Sequence, residues 1–72
     1  MTNEYTNLYE WCKSRLGQTL DNKHRKVWEQ AGKLIISNNK LNIEIWECDN
    51  TLIMIHIHDS DCFELIQVAL RG

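Results

Sequence analysis

The residues with the widest chemical range fall in one short stretch, His56-Ile57-His58-Asp59-Ser60-Asp61-Cys62. Two histidines two positions apart on a strand send both imidazoles to one face, and the carboxylates and thiol that follow are all possible metal ligands. Zinc takes four protein ligands in structural sites, or three and an open position in catalytic ones, at recurring spacings. The strand register set out below places His56 opposite Asn42 and His58 opposite Lys40. A cation beside the pair opposes a metal ion, so the expectation is a pair of half-exposed strand histidines with no metal and no cofactor.

Nucleophilic chemistry fares no better. Cys12, Cys48 and Cys62 are the three thiols, and a reactive one needs a basic neighbour or a helix start to lower its pKa. Cys62 stands closest to such a position, but Asp59 and Asp61 act in the opposite direction. The only glycines are Gly17, Gly32 and Gly72, too scattered for a phosphate-cradling loop. Carboxylate pairs are not distinguishable from ordinary surface charge. The chain is therefore expected not to be an enzyme.

Lys23-His24-Arg25-Lys26 followed by Val27-Trp28 has the composition of a phosphate-and-base contact. The net charge of −2 argues for a solvated helix face instead, and nucleic acid is not expected as a partner. Charge is unevenly spread. Residues 11–40 hold Lys13, Arg15, Lys23, Arg25, Lys26, Lys33 and Lys40 against Asp21 and Glu29, whereas residues 41–70 hold Glu44, Glu47, Asp49, Asp59, Asp61 and Glu64 with no lysine or arginine. These are either ordinary solvated residues or an acidic sheet edge that steers a basic protein onto the chain.

Positioning these residues falls to the tract 33–58, KLIISNNKLNIEIWECDNTLIMIHIH, which reads as three consecutive strands. Asn38-Asn39 suits a two-residue hairpin turn with positive φ, pairing Ile36 with Leu41 and Leu34 with Ile43. A three-residue loop at Cys48-Asp49-Asn50, with Asn50 left-handed, pairs Glu47 with Thr51, Ile45 with Ile53 and Ile43 with Ile55. An even loop would slip this register by one and reverse the faces. With the odd loop, Leu34, Ile36, Leu41, Ile43, Ile45, Ile53, Ile55 and Ile57 form the core face. The other face carries Ile35, Lys40, Asn42, Glu44, Trp46, Leu52, Met54, His56 and His58. Half-apolar, it is either covered by a helix or offered to a partner.

Around this meander, Thr2 or Asn3 caps a first helix with Glu4 in its first turn, and Tyr5, Leu8, Cys12 and Leu16 form its apolar stripe, with Trp11 alongside. Gly17 ends it. Asp21 caps a second helix over residues 22–31, with His24, Val27, Trp28 and Ala31 on one face, although Gln18 to Lys26 also suits a loop. Asp59-Ser60-Asp61, with Asp61 and Glu64 as a capping box, introduces a short C-terminal helix over 62–70. A fourth strand is the alternative, because Phe63, Ile66 and Val68 tolerate either state. The expected fold is α+β in a single domain, residues 1–72: an N-terminal helix or two, a three-stranded antiparallel meander and a C-terminal helix.

A chain of 72 residues buries only roughly 60% of its unfolded surface, so oligomerisation is a natural supplement and a homodimer through the mixed face is a further expectation. An odd number of cysteines without a CxxC spacing indicates reduced thiols and a cytoplasmic protein. No secretory leader and no membrane span are read from the sequence. The expected function is a non-enzymatic inhibitor that binds and blocks another protein. Trp46, Leu52, Met54 and His56 would supply contact area, and Glu44, Glu47 and Asp49 the charge complementarity. The alternatives are a metal- or ligand-responsive module using His56 and His58, or a homodimeric structural module.

Ile43-Glu44-Ile45-Trp46-Glu47, the polar turn after it, the strand ending in His58-Asp59, and the aromatic helix containing Leu8-Tyr9-Glu10-Trp11 together resemble the TriTu family of bacterial immunity proteins. Such proteins carry an N-terminal helix and a strand hairpin marked by a Trp-Glu pair, followed by an acidic segment. The likeness spans about half of the chain. Cys48-Asp49-Asn50 stands where that family has a Ser-Gly-like turn, and His56 and His58 stand where acids are expected. The resemblance implies a cytosolic antidote that blocks a cognate toxin. A phage-encoded inhibitor of a host defence nuclease would have the same physical character.

Overall fold

The structure, a computed structural model, describes residues 7–71. The caps and stripe positions expected at Thr2, Asn3, Glu4 and Tyr5 lie outside the described residues. Helix α1 (Leu8–Lys13) is capped by Asn7, whose Oδ1 accepts the Glu10 amide at 3.1 Å. This satisfies one of the donors that a helix start leaves unpaired. Gly17, at φ 82°, turns the chain, and its amide donates to the Leu65 carbonyl at 2.7 Å.

That contact delivers a short strand, β1 (Thr19–Asp21), to the sheet. Helix α2 (Lys23–Ala31) follows at once, with Asp21 Oδ1 accepting the Lys23 amide at 2.7 Å. It buries His24 and Trp28. From α2 the chain enters β2 (Gly32–Asn38) without a loop, then β3 (Ile43–Cys48), β4 (Thr51–Ile57) and β5 (Cys62–Leu70). The entry to β2 requires glycine: a Cβ on Gly32 would lie 2.1 Å from the Glu47 carbonyl oxygen.

The sheet has five antiparallel strands in the order β1-β5-β4-β3-β2, and this overturns the expected three-stranded meander with a C-terminal helix. Residues 62–70 are the strand β5. Asp59, expected to cap a helix, instead closes a turn: its Oδ1 accepts the amides of Asp61 at 2.7 Å and Cys62 at 3.1 Å. Asp and Asn form such side-chain turns as readily as helix caps, and the local sequence is the same for both. Period-two alternation decides the matter, because Phe63 and Leu65 are buried while Glu64 between them is not.

Both hairpin registers also differ from expectation. Asp49 and Asn50 are both left-handed, at φ 53° and 61°, and Cys48 pairs with Thr51. This is the even, two-residue turn, so Ile45 faces Met54 and Trp46 faces Ile53. The β2–β3 connection is longer than a two-residue turn. Asn38 pairs with Ile43, its Oδ1 holds the amides of Lys40 and Leu41 at 3.0 Å each, and Asn42 takes the positive φ.

The slip turns β3 over relative to β4, whose own faces are as expected, with Ile53 and Ile55 inward and Leu52, Met54 and His56 outward. Trp46, Cys48, Ile53, Ile55, Phe63 and Leu65 join Leu8, Cys12 and Trp28 in the core. Rows on this inner face run Leu34–Trp46–Ile53–Val68 and Ser37–Glu44–Ile55–Leu65 across four strands. Ile43 and Ile45, expected in the core, lie on the other side. Among the described residues no helix is long and apolar enough to cross a membrane.

Candidate functional site

Both helices pack on the inner face, α1 against β4 and β5 and α2 against β2 and β3. The outer face of the sheet is left uncovered by any described element. Its rows are Lys33–Glu47–Leu52–Ala69, Ile36–Ile45–Met54–Gln67 and Asn38–Ile43–His56–Glu64. Ile45, Leu52, Met54, Gln67, Val68 and Ala69 line a shallow groove of ≈ 210 Å³ along it. Ile36, at 51% exposure, extends the apolar row to the sheet edge. That edge is β2, whose outer backbone groups pair with no described strand.

The residues expected to meet a partner divide between the two faces. Glu47, Leu52, Met54 and His56 are together on the outer one, and Asp49 sits in the turn at its end. Glu44 and Trp46, expected beside them, point the other way and are only 8% and 6% exposed. There Glu44 takes a two-pronged ion pair from Arg25 of α2, at 3.1 Å from Nε and 2.9 Å from Nη2, and accepts the Trp46 indole N–H at 2.8 Å. Asn22 Oδ1 accepts a further bond from Arg25 Nη1 at 2.9 Å. A carboxylate held this way is a clamp between helix and sheet, since its charge is matched and its acceptor sites are filled.

Glu47, on the outer face, is similarly engaged. Arg71 bonds its Oε2, Lys33 Nζ stands 3.7 Å from Oε1, and the Arg71 guanidinium holds its carboxyl below the usual carboxylate range. Two of the three acids expected to steer a basic protein are thus neutralised within the chain. What the outer face offers is mainly apolar area.

The thiols are poor nucleophiles. Burial pushes Cys12 up to about 12, with Arg15 opposing and Cys48 adding to the rise. Burial and Asp49 raise Cys48, and burial and Asp59 raise Cys62. All three are free cysteines. Protonated thiols neither attack nor ligate well at neutral pH.

Ile36, Ile43 and Ile45 were missed as outer-face residues, and Glu64 was assigned to a helix. For Ile43 and Ile45 the signal is Asp49-Asn50 read as a pair, since both residue types tolerate the left-handed region that a two-residue turn requires at both positions.

No family model, no curated protein and no solved structure matches the chain.

Proposed function

We propose that the protein is a non-enzymatic binding protein that blocks another folded protein through the outer face of its sheet. The observation that carries this reading is the uncovered apolar row Ile36–Ile45–Met54 with Leu52 beside it, on a sheet whose helices both lie on the other side. An apolar strip of this kind, rimmed by polar groups such as Lys33, Glu47 and Gln67, has the composition of an interface core and its rim. Free thiols on a small chain fit a reducing compartment, and hence a cytoplasmic inhibitor. The resemblance to immunity proteins gives the partner's class, a toxin or nuclease encoded beside this chain. Trp46 and Glu44 support the fold in this reading and make no contact with the partner.

The test is complex formation with the product of the adjacent gene, comparing wild type with a Leu52→Glu/Met54→Glu double variant. Both side chains already meet solvent, so the variant is expected to keep its fold and melting temperature. Placing two carboxylates in a desolvated interface core should cost about 3 kcal/mol or more, roughly a hundredfold in Kd. A folded double variant that binds and neutralises as well as wild type would refute the docking face. A wild-type homodimer that the same substitutions dissolve would assign the face to a second copy instead.

A further inference from the structure

We propose that His56, His58 and Glu64 form a divalent transition-metal site of the open, three-ligand type, best suited to zinc. One candidate ligand atom from each residue lies within 4.8 Å of the others, and His58 Nε2 is already 3.5 Å from Glu64 Oε1. Bonds of about 2.0–2.1 Å in a tetrahedral zinc site put neighbouring ligand atoms about 3.3 Å apart. Side-chain rotation alone closes the difference.

The backbone explains why these three meet. His56 is the direct cross-strand partner of Glu64, and His58, the first residue after β4, holds its ring 5.4 Å from that of His56. Directly opposed side chains on one sheet face have Cβ atoms roughly 4.5–5.5 Å apart, so the ladder itself sets the ligand spacing. The turn after His58 is fixed as well. Asp59 Oδ1 grips the Asp61 and Cys62 amides, and the amides of His58 and Asp59 donate to the Cys62 carbonyl at 3.3 and 3.4 Å. Strands β4 and β5 are therefore held in register at the point where they supply the ligands.

The observed register also removes the objection drawn from the sequence. That objection set Lys40 opposite His58, but Asn38 pairs with Ile43, so Lys40 lies in the β2–β3 connection outside any strand, and the β3 partner of His56 is Ile43. Two neutral imidazoles and one carboxylate give a borderline, singly negative set, which suits zinc and copper better than magnesium or calcium. His58 and Glu64 retain side-chain exposures of 36% and 42%. A bound ion would keep a position open on the solvent side for water. The site lies at one end of the docking face but does not depend on it.

Protein purified without a histidine tag and stripped with a chelator should take up one equivalent of zinc chloride by calorimetry, with a rise in melting temperature. Cobalt(II) should give the absorption of a four-coordinate ion. Glu64→Gln and His58→Asn should each lose more than the roughly tenfold that removal of even an outer-shell partner costs. Asp61→Asn, nearby but outside the set, should bind as wild type does. Circular dichroism of the metal-free variants separates lost ligation from lost folding. Absence of stoichiometric zinc on wild type, or Glu64→Gln binding as tightly as wild type, would overturn the site. Equal losses for Asp61→Asn and Glu64→Gln would reduce it to general acidic attraction.

Discussion

Trp28→Ala is expected to lower the unfolding free energy by about 3–5 kcal/mol, the usual cost of deleting a fully buried aromatic side chain. At roughly 0.05–0.15 kcal/mol per residue, a chain of this length has only about 4–11 kcal/mol in total. One substitution should therefore remove a large part of the stability and leave an appreciable unfolded fraction on warming. Trp28 has no exposed surface, and its ring lies 5.4 Å from that of Phe63, joining α2 to β5 through the centre of the core. The indole nitrogen itself has no hydrogen-bond partner among the described residues. Trp28→Phe should accordingly be much milder, because it keeps a ring in the site and removes a buried unpaired donor. Urea melts followed by circular dichroism measure both. An alanine variant within about 1 kcal/mol of wild type would mean that α2 does not pack on the sheet as described, since truncations on that scale are typical of less buried positions.

The second large effect is expected at Glu44. Glu44→Ala strands the Arg25 guanidinium and the Trp46 indole N–H, both of which now bond its carboxylate. Removing one partner of a buried pair costs roughly 3–5 kcal/mol. Arg25 keeps 23% side-chain exposure, so water recovers part of this and the lower end of the range is expected. Replacing both residues with methionine should restore most of the loss, because it removes the charges together and leaves comparable volume. A urea-melt double-mutant cycle reads the coupling directly. If Glu44→Ala instead left stability unchanged and weakened only partner binding, Glu44 would belong on the outer face after all.

The contrast between sequence and structure turns on a few residues. Helix α2 was legible only as one of two readings, since His24, Val27 and Trp28 recur at helical spacing between Asp21 and Gly32 while Gln18 to Lys26 also suits a loop. The strands β2, β3 and β4 were legible from their β-branched alternation. Register was not. Counting aliphatic side chains favoured Ile43 and Ile45 as core, yet β3 carries Glu44, Trp46 and Cys48 on its alternate side, and these are the buried set. Glutamate at a core position looks prohibitive in isolation. Its burial depends on Arg25, 19 positions away in sequence, and local reasoning cannot see such a partner.

The same limit hid β5. Cys62–Leu70 tolerates helix or strand, and the choice is made by pairing with β4 and β1, a tertiary matter. As a result Leu52, Met54 and His56 were correctly grouped on one face, while Trp46 and Glu44 were grouped with them, and Glu47 set on the opposite side, on a register one residue out. The histidine pair was read without Glu64 for the same reason.

The proposed docking row through Ile45 and the buried clamp at Glu44 both follow from the two-residue turn between β3 and β4. Cross-strand nuclear Overhauser effects on labelled protein test that turn most directly. The structure predicts proximities linking Cys48 with Thr51, Glu47 with Leu52 and Ile45 with Met54. Proximities linking Glu47 with Thr51 and Ile45 with Ile53 would contradict it, returning Trp46 to the surface and the isoleucines of β3 to the core.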